Sequence, residues 1–394
     1  MDQPLSHITV VDTTRFLAGP FCTQILGDLG AEVIKVEPPG GSPNRDTHPS
    51  QGGMGTTFIS RNRNKRSVVL NLKTDEGTEL IEGLIAEADV FVENFSLGVM
   101  ERLGLGYEYL SEEVNPRLIY ASIKAYGESG PSREKKGVDP MMQAEAGLMS
   151  VTGEEDGDPV KVGVSIGDMG AGLYATISIL TALSYRERTG TGQKVETDLF
   201  GTVTSFMEEH ITSYGISGEN PGPVGTKQPS AAPSELFETA NGHIMINASI
   251  QTLWERFVAD VLDEAQLLRY DTLQLREEHY DEIMAVIRPR LREKTTEEWQ
   301  ELLDEHGVPN GPLNRVSDVV EHPHARARGD VFEYADGTVG SVTLVGYPLH
   351  FSATETRVRS GPPQLGAHTD EVLAEHLGLD DAELAGLRER GVID

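Results

Sequence analysis

The stretch GVSIGDMGAG, residues 163–172, sets two oxygen nucleophiles three positions apart. Ser165 stands in a G-x-S-x-G frame, the pattern of a strand-to-helix elbow that exposes a hydrolase serine. Asp168 follows among Gly167, Gly170 and Gly172. An esterase or thioesterase reading takes Ser165 as nucleophile, with a late histidine such as His368 completing a triad. No HGGG-type oxyanion motif lies upstream to support it. A carboxylate reading takes Asp168 as a covalent nucleophile that forms reactive acyl intermediates. Glycines would let a ligand come close, and nearby N–H groups would hold an oxyanion. Asp168 also suits a plain N-cap for the helix expected just beyond it. Spacing alone leaves both nucleophiles open.

Other chemistry-bearing patterns are weaker. RNRNKRS (61–67) is the one dense basic run, and its Arg forks and Lys charges suit phosphate recognition. In LGDLGAEVIKVE the glycines at 27 and 30 fall too late for a dinucleotide fingerprint, so close helix–sheet packing is their expected use. No P-loop pattern occurs. His322 and His324, in EHPHAR, form an H-x-H pair without a third ligand, and the intervening proline indicates a surface loop.

The elements that must position these residues alternate. HITVVD (7–12), EVIKVE (32–37), SVVLNL (67–72), VFVEN (90–94) and LIYASIKAY (118–126) read as strands, with KVETDLF (194–200) a further one. Helical stretches separate them, from AGPFCTQILGDLG (18–30) to GLYATISILTAL (172–183). Strand–helix alternation at this spacing predicts an α/β fold with a parallel sheet covered on both faces. The Gly/Pro-rich segment 217–233 breaks the regularity, and GHIMINAS followed by charged amphipathic helices composes a smaller α/β piece. VFEYADGTVGSVTLVG (331–346) carries a D-G hairpin turn, and the tail is helical.

Composition narrows the function classes. There are 63 acidic against 33 basic residues, a formal net charge of −30. Such a surface repels nucleic-acid phosphates. The acids are spread through a globular hydrophobic pattern, which predicts adaptation to a salt-rich cytoplasm, where self-repulsion is screened. The single cysteine, Cys22, excludes an intramolecular disulfide framework and any multi-cysteine metal site. The run 172–183 is too short and too Ser/Thr-interrupted to span a bilayer, and no basic start followed by an apolar run is seen. A cytoplasmic protein with no membrane partner is expected.

Several long segments together resemble the family III CoA-transferases, the group that contains formyl-CoA transferase and carnitine CoA-transferase. They include LAGPFCTQILGDLGAEVIKVEPPGG (17–41), NRNKRSVVLNLKTDEG (62–77), ADVFVENFSLGVMERLGL (88–105), NPRLIYASIKAYGESGP (115–131) and GLMSVTGEEDGDPVKVGVSIGDMGAGLYATISILTAL (147–183). Further matches are ERTGTGQKVETDLF (187–200), GVPNGPLNRVSDVVEHPHARARG (307–329) and PPQLGAHTDEVL (362–373). The resemblance implies that Asp168 is the nucleophile, passing through an aspartyl–acyl anhydride and an aspartyl-CoA thioester, with Ser165 a helper or packing residue. It implies that Phe16 and Ala18 lie beside the nucleotide or thiol arm of CoA. It places Lys73, Asn94, Phe95, Val99, Arg102 and Lys136 along the rest of the cofactor. CoA enters as a thioester substrate; no permanently bound cofactor and no metal are implied.

The implied fold is a Rossmann-like large domain joined by linkers to a small one. Its expected parts are 1–200, a linker over 201–225, a small domain over 226–326, and a return over 327–394. Two such chains would interlock as a homodimer. Leu17 replaces a glutamine found near oxalate in formyl-CoA transferase, which argues against oxalate. Val138 replaces both that enzyme's tyrosine and the histidine base of the related α-methylacyl-CoA racemases, which argues against racemisation. Pro38 stands for an arginine near adenine, and NPGPVGTKQPSAAP replaces a contiguous glycine loop. The expected reaction moves CoA from succinyl-CoA to a C4–C5 dicarboxylate such as mesaconate. The acceptor's second carboxylate would want Arg15, Arg61 or Lys227.

Overall fold

The computed structural model describes residues 3–228 and 231–394. Six strands form one wholly parallel sheet: β1 (Thr9–Asp12), β2 (Glu32–Glu37), β3 (Lys65–Val69), β4 (Val90–Glu93), β5 (Ile119–Lys124) and β6 (Gln193–Asp198). Their spatial order is β3-β2-β1-β4-β5-β6. This is the doubly wound order whose chain direction switches between β1 and β4, where ligands bind outside the carboxyl ends of the strands.

The inner strands are buried on both sides, successive residues pointing to opposite faces, whereas the edge strand β6 is only partly covered. Val11, Ile34, Val68 and Phe91 enter one core cluster, whereas Val10, Val33, Val90 and Val92 enter the other. The first is covered by α2 (Asp75–Glu87) and by two C-terminal helices through Leu373 and Leu387. The second is covered by α1 (Ala18–Asp28) and by a 24-residue helix, Ile166–Thr189, through Cys22, Leu26, Ala171, Ala175 and Ile179. Full burial of one such aliphatic side chain contributes roughly 1.5–3 kcal/mol.

The chain divides into two units. One comprises Met1–Leu148, Lys161–Thr212 and Pro323–Asp394; the other comprises Met149–Val160 and Ser213–His322. The segment expected as a linker, 201–225, is helical over Leu199–Phe206 and Glu208–Ser217. The larger unit therefore continues past residue 200, and Met149–Val160 belongs to the smaller one. That smaller unit has three antiparallel strands, Ser234–Glu238, His243–Asn247 and Asn310–Pro312, packed with helices around Trp254, Phe257 and Trp299. The hairpin Val331–Asp336/Gly340–Val345 forms at the expected turn, while EHPHAR departs from the expected loop by starting a short helix, Pro323–Arg328.

Buried charges balance in number. The buried cations are Lys35, Arg45, Arg63, Lys65, Arg186 and Arg276, and the buried acids are Asp12, Asp28, Glu37, Glu93, Asp139 and Glu235 among the described residues. Six balance six, so the acidic excess lies at partly or fully exposed positions. The run 61–67 supplies much of this interior. Arg63 is held by Asp28 at 2.6 Å, Lys65 by Asp12 at 3.1 Å, and Arg66 by Glu32 and Glu375. The phosphate-binding reading of that run is corrected: three of its four cations are committed to carboxylates, and only Arg61 is left beside the site described next.

Candidate active site

Asp12 ends β1 and organises the loop that follows. Its Oδ1 accepts the Thr14 N–H at 2.8 Å and its Oδ2 accepts the Thr23 hydroxyl at 2.7 Å. Lys65 donates to the same Oδ2 at 3.1 Å, and Lys35 donates to the Thr14 carbonyl at 3.0 Å. The two ammonium groups hold the Asp12 carboxyl far below its usual range, while burial pushes Lys65 down to about 8. Asn94, just past β4, clamps Arg15 from both sides, accepting its N–H at 2.9 Å and donating to its carbonyl at 2.7 Å. The loop so fixed places Phe16 at φ +62°, a conformation costly for an aromatic residue, and leaves the residue 62 % exposed. Asn44 Nδ2 donates to the Phe16 carbonyl at 2.6 Å.

Beside this loop lies a cavity of about 500 Å³ lined by Arg15, Pro38, Pro39, Lys73, Phe95 and Val99, among others. The size is that of a small-molecule site. The Arg15 guanidinium lies 4.6 Å from the Phe95 ring centre, and Lys73 has no acidic partner among the described residues. Of the expected CoA contacts, Lys73, Phe95 and Val99 line the cavity, and Asn94 anchors its wall. Arg102 and Lys136 are exposed and do not line it. Ala18 is buried, with its carbonyl turned toward Gly172. Pro38 lines the cavity with Pro39, and Arg15, named from sequence only as an acceptor contact, is its principal cation.

The helix bearing Asp168, labelled α4 below and preceded by α3 (Asp139–Glu145), starts one turn earlier than an Asp168 N-cap would require. Ser165 is the N-cap residue and Asp168 is the third helical position. The glycines serve packing rather than ligand approach. A Cβ at Gly167 would sit 2.9 Å from Val203, one at Gly170 2.6 Å from Phe206, and one at Gly172 2.6 Å from the Ala18 carbonyl. Gly163 faces open space. The buried Asp139 accepts the Gly167 N–H at 2.7 Å and Gln143 Nε2 at 2.6 Å. Gln143 Oε1 in turn accepts the Val162 N–H at 2.9 Å, so α3 fixes the chain on its way into α4.

Asp168 itself receives no hydrogen bond from the described residues, contrary to the N–H donors expected around it. Burial, reinforced by the Asp139 carboxylate and opposed by the Arg61 guanidinium, pushes its carboxyl up to about 6. It remains ionised by about ten to one at pH 7. Among the described residues no base is hydrogen-bonded to Ser165: its hydroxyl makes no capping bond, and the Nδ1 of His368 accepts the Ser67 N–H at 3.2 Å. Lys227 lies in the smaller unit, 3.3 Å from Glu155.

A parallel sheet of this order, a cavity with Arg15 and Lys73 at the carboxyl ends of its strands, and a lone aspartate at a glycine-packed helix start are all present. The sequence profile of CoA-transferase family III matches residues 5–369. The chain belongs to CoA-transferase family III. Human succinyl-CoA:glutarate CoA-transferase is 36% identical over 397 residues, covering 100% of this chain and 90% of that protein. Succinyl-CoA:mesaconate CoA-transferase of Haloarcula marismortui is 35% identical over 382 residues, covering 94% and 96%. The crystal structure of a CaiB/BaiF family protein from Brucella suis superposes with a TM-score of 0.87 at 35% identity, covering 95% of this chain and 100% of that one.

The apolar helix α4 is longer than its sequence indicates. Its 24 residues are long and apolar enough to cross a membrane, but half of the relevant window is buried inside the fold. Leu173, Tyr174 and Ile177 form an exposed apolar stripe on it.

Proposed function

We propose that this protein transfers CoA from a short-chain acyl-CoA, succinyl-CoA, to a free C4–C5 dicarboxylic acid such as mesaconate or glutarate, with Asp168 as covalent nucleophile. The Asp168 carboxylate attacks the thioester carbonyl, forming an aspartyl–succinyl anhydride and expelling CoA thiolate. The thiolate attacks the aspartyl carbonyl of the anhydride, giving aspartyl-CoA thioester and free succinate. The acceptor carboxylate then attacks that thioester, giving a second anhydride, and the thiolate returns to the acceptor's carbonyl to release the new acyl-CoA and free Asp168. Each step exchanges one activated acyl bond for another, so no ATP is needed and no metal or resident cofactor is invoked.

The observation that carries this reading is the setting of Asp168: half-buried, without a hydrogen bond from the described residues, and pushed up to about 6 by burial and the Asp139 carboxylate. A more basic carboxylate attacks more readily, and among the described residues no base is hydrogen-bonded to Ser165. The loop of Arg15, Phe16 and Ala18 runs from the Phe95 cavity to Gly172, one turn beyond Asp168, and so offers a path for the CoA arm. Arg61, whose field reaches Asp168, would hold the acceptor's second carboxylate. The stripe of Leu173, Tyr174 and Ile177 favours a homodimer, since an uncovered apolar face calls for a partner. The acidic exterior and the single buried cysteine favour a salt-rich cytoplasm.

The test is a chromatographic exchange assay in concentrated KCl with succinyl-CoA and one acid at a time: mesaconate, glutarate, malate, itaconate or oxalate. A new acyl-CoA with one acid, absent from Asp168→Ala, is the expected result. CoA release that needs no acceptor and survives Asp168→Ala would instead assign a thioesterase to Ser165.

A further inference from the structure

A second cavity, of about 410 Å³, lies under the hairpin Val331–Asp336/Gly340–Val345 and holds three guanidinium groups: Arg63, Arg328 and Arg357. Such a gathering of cations is unexpected in a chain of net charge −30. Arg63 is spent at its floor on Asp28 and on the Val345 carbonyl at 2.8 Å. Arg328 and Arg357 are not. Their nearest carboxylates, Asp330 and Glu355, stand at 3.8 and 3.7 Å, beyond hydrogen-bond reach, and the arginine side chains are 47% and 63% exposed. Pairs of that kind contribute almost nothing and release their partners freely. The walls are aromatic: Phe332 and Tyr347 flank the Arg63 guanidinium at 5.7 and 5.1 Å. A Cβ at Gly346 would fall 2.2 Å from the Gly329 carbonyl, so only glycine lets the hairpin close on that side.

We propose that this cavity is a second anion-binding site that takes a small organic di- or tricarboxylate. The Arg328 and Arg357 forks bind two carboxylates, since guanidinium geometry matches a carboxylate with paired N–H donors. The carbon body lies against Phe332 and Tyr347, and the volume accommodates an acid of about six carbons. The site reaches the catalytic helix through one side chain. Tyr347 packs edge-on against Phe21 at 5.5 Å and shares a hydrophobic cluster with Met169, the neighbour of Asp168. An occupant of the cavity therefore bears on the wall that supports the start of α4.

The experiment is calorimetric titration of the full chain with citrate, and separately with orthophosphate, at constant ionic strength. Wild type and Arg61→Met are expected to bind citrate alike at one site per chain. Arg328→Met/Arg357→Met is expected to bind it at least about tenfold more weakly, the loss due to two charge-assisted contacts. Its unliganded melting temperature should be unchanged. Each single variant should give a partial loss, which keeps the test valid if the double variant folds poorly. An unchanged citrate isotherm in these variants overturns the site. Loss of citrate binding in Arg61→Met overturns it too, by placing the ligand at the catalytic centre. Orthophosphate binding as tightly as citrate overturns the assignment to an organic acid.

Discussion

At Asp168, burial and the Asp139 carboxylate favour the protonated acid, while Arg61 favours the anion, and the balance lies near 6. A reaction that needs the carboxylate loses rate as pH falls through that value. Asp139→Asn removes the like charge yet keeps an oxygen to accept the Gly167 N–H, so the pKa of Asp168 should fall. The acid limb of kcat/KM should move down by roughly one pH unit, the usual size for a nearby carboxylate. Arg61→Met should move the same limb upward. A pH–rate profile measured on both variants decides the matter: limbs that stay at the wild-type position, or shift the other way, would separate the limb from Asp168. Arg61→Met should also bring dicarboxylate and monocarboxylate acceptors closer in kcat/KM, since only the former has a second carboxylate to lose.

At the level of elements, α4 is pressed against α1 and the helix Leu199–Phe206 by glycines. Gly172→Ala would drive a methyl group to 2.6 Å from the Ala18 carbonyl, backbone that cannot swing aside. A loss of about 1–3 kcal/mol is expected by overpacking, read as a lower midpoint in urea, whereas Gly163→Ala, facing open space, should stay within about 0.5 kcal/mol of wild type. Equal midpoints would show that α4 can slide. The strands were legible because each is a short β-branched run bounded by turn residues, and β2, Glu32–Glu37, appears with the bounds read for it. The role of 61–67 was not legible. Arg63 and Lys65 find their acids 35 and 53 residues earlier in the chain, a pairing that only the parallel sheet creates. The glycines around Asp168 were ambiguous for the same reason, since close approach by a ligand and close approach by α1 leave one pattern in sequence. Nor did the sequence mark the helix start: Asp168 suits a cap, yet the helix begins at Ile166 after Ser165, and Asp139, brought in from α3, accepts the Gly167 N–H that the Ser165 hydroxyl leaves unmet. Arg15's place in the cavity could have been suspected from its position just past β1, where a doubly wound sheet binds ligands.

For the whole molecule, charge is the governing feature. With buried acids and cations matched six to six, the excess of acid sits where solvent ions can reach it. Raising KCl from about 0.1 to 1 M shortens the screening length from about 10 to 3 Å. The melting temperature should rise over that interval, and a flat or falling curve would remove the salt-adapted reading. The same field acts on whatever arrives from solution. Acyl-CoA and dicarboxylates are all anions, so a productive encounter begins uphill, and salt should quicken capture where it normally slows electrostatically guided partners. With folding monitored in parallel, kcat/KM for the acyl-CoA should climb with ionic strength while kcat holds steady. An enzyme of this charge then works as a gate whose opening is set by the saltiness of its surroundings, its turnover fixed by the chemistry inside and its supply of substrate by the ions outside.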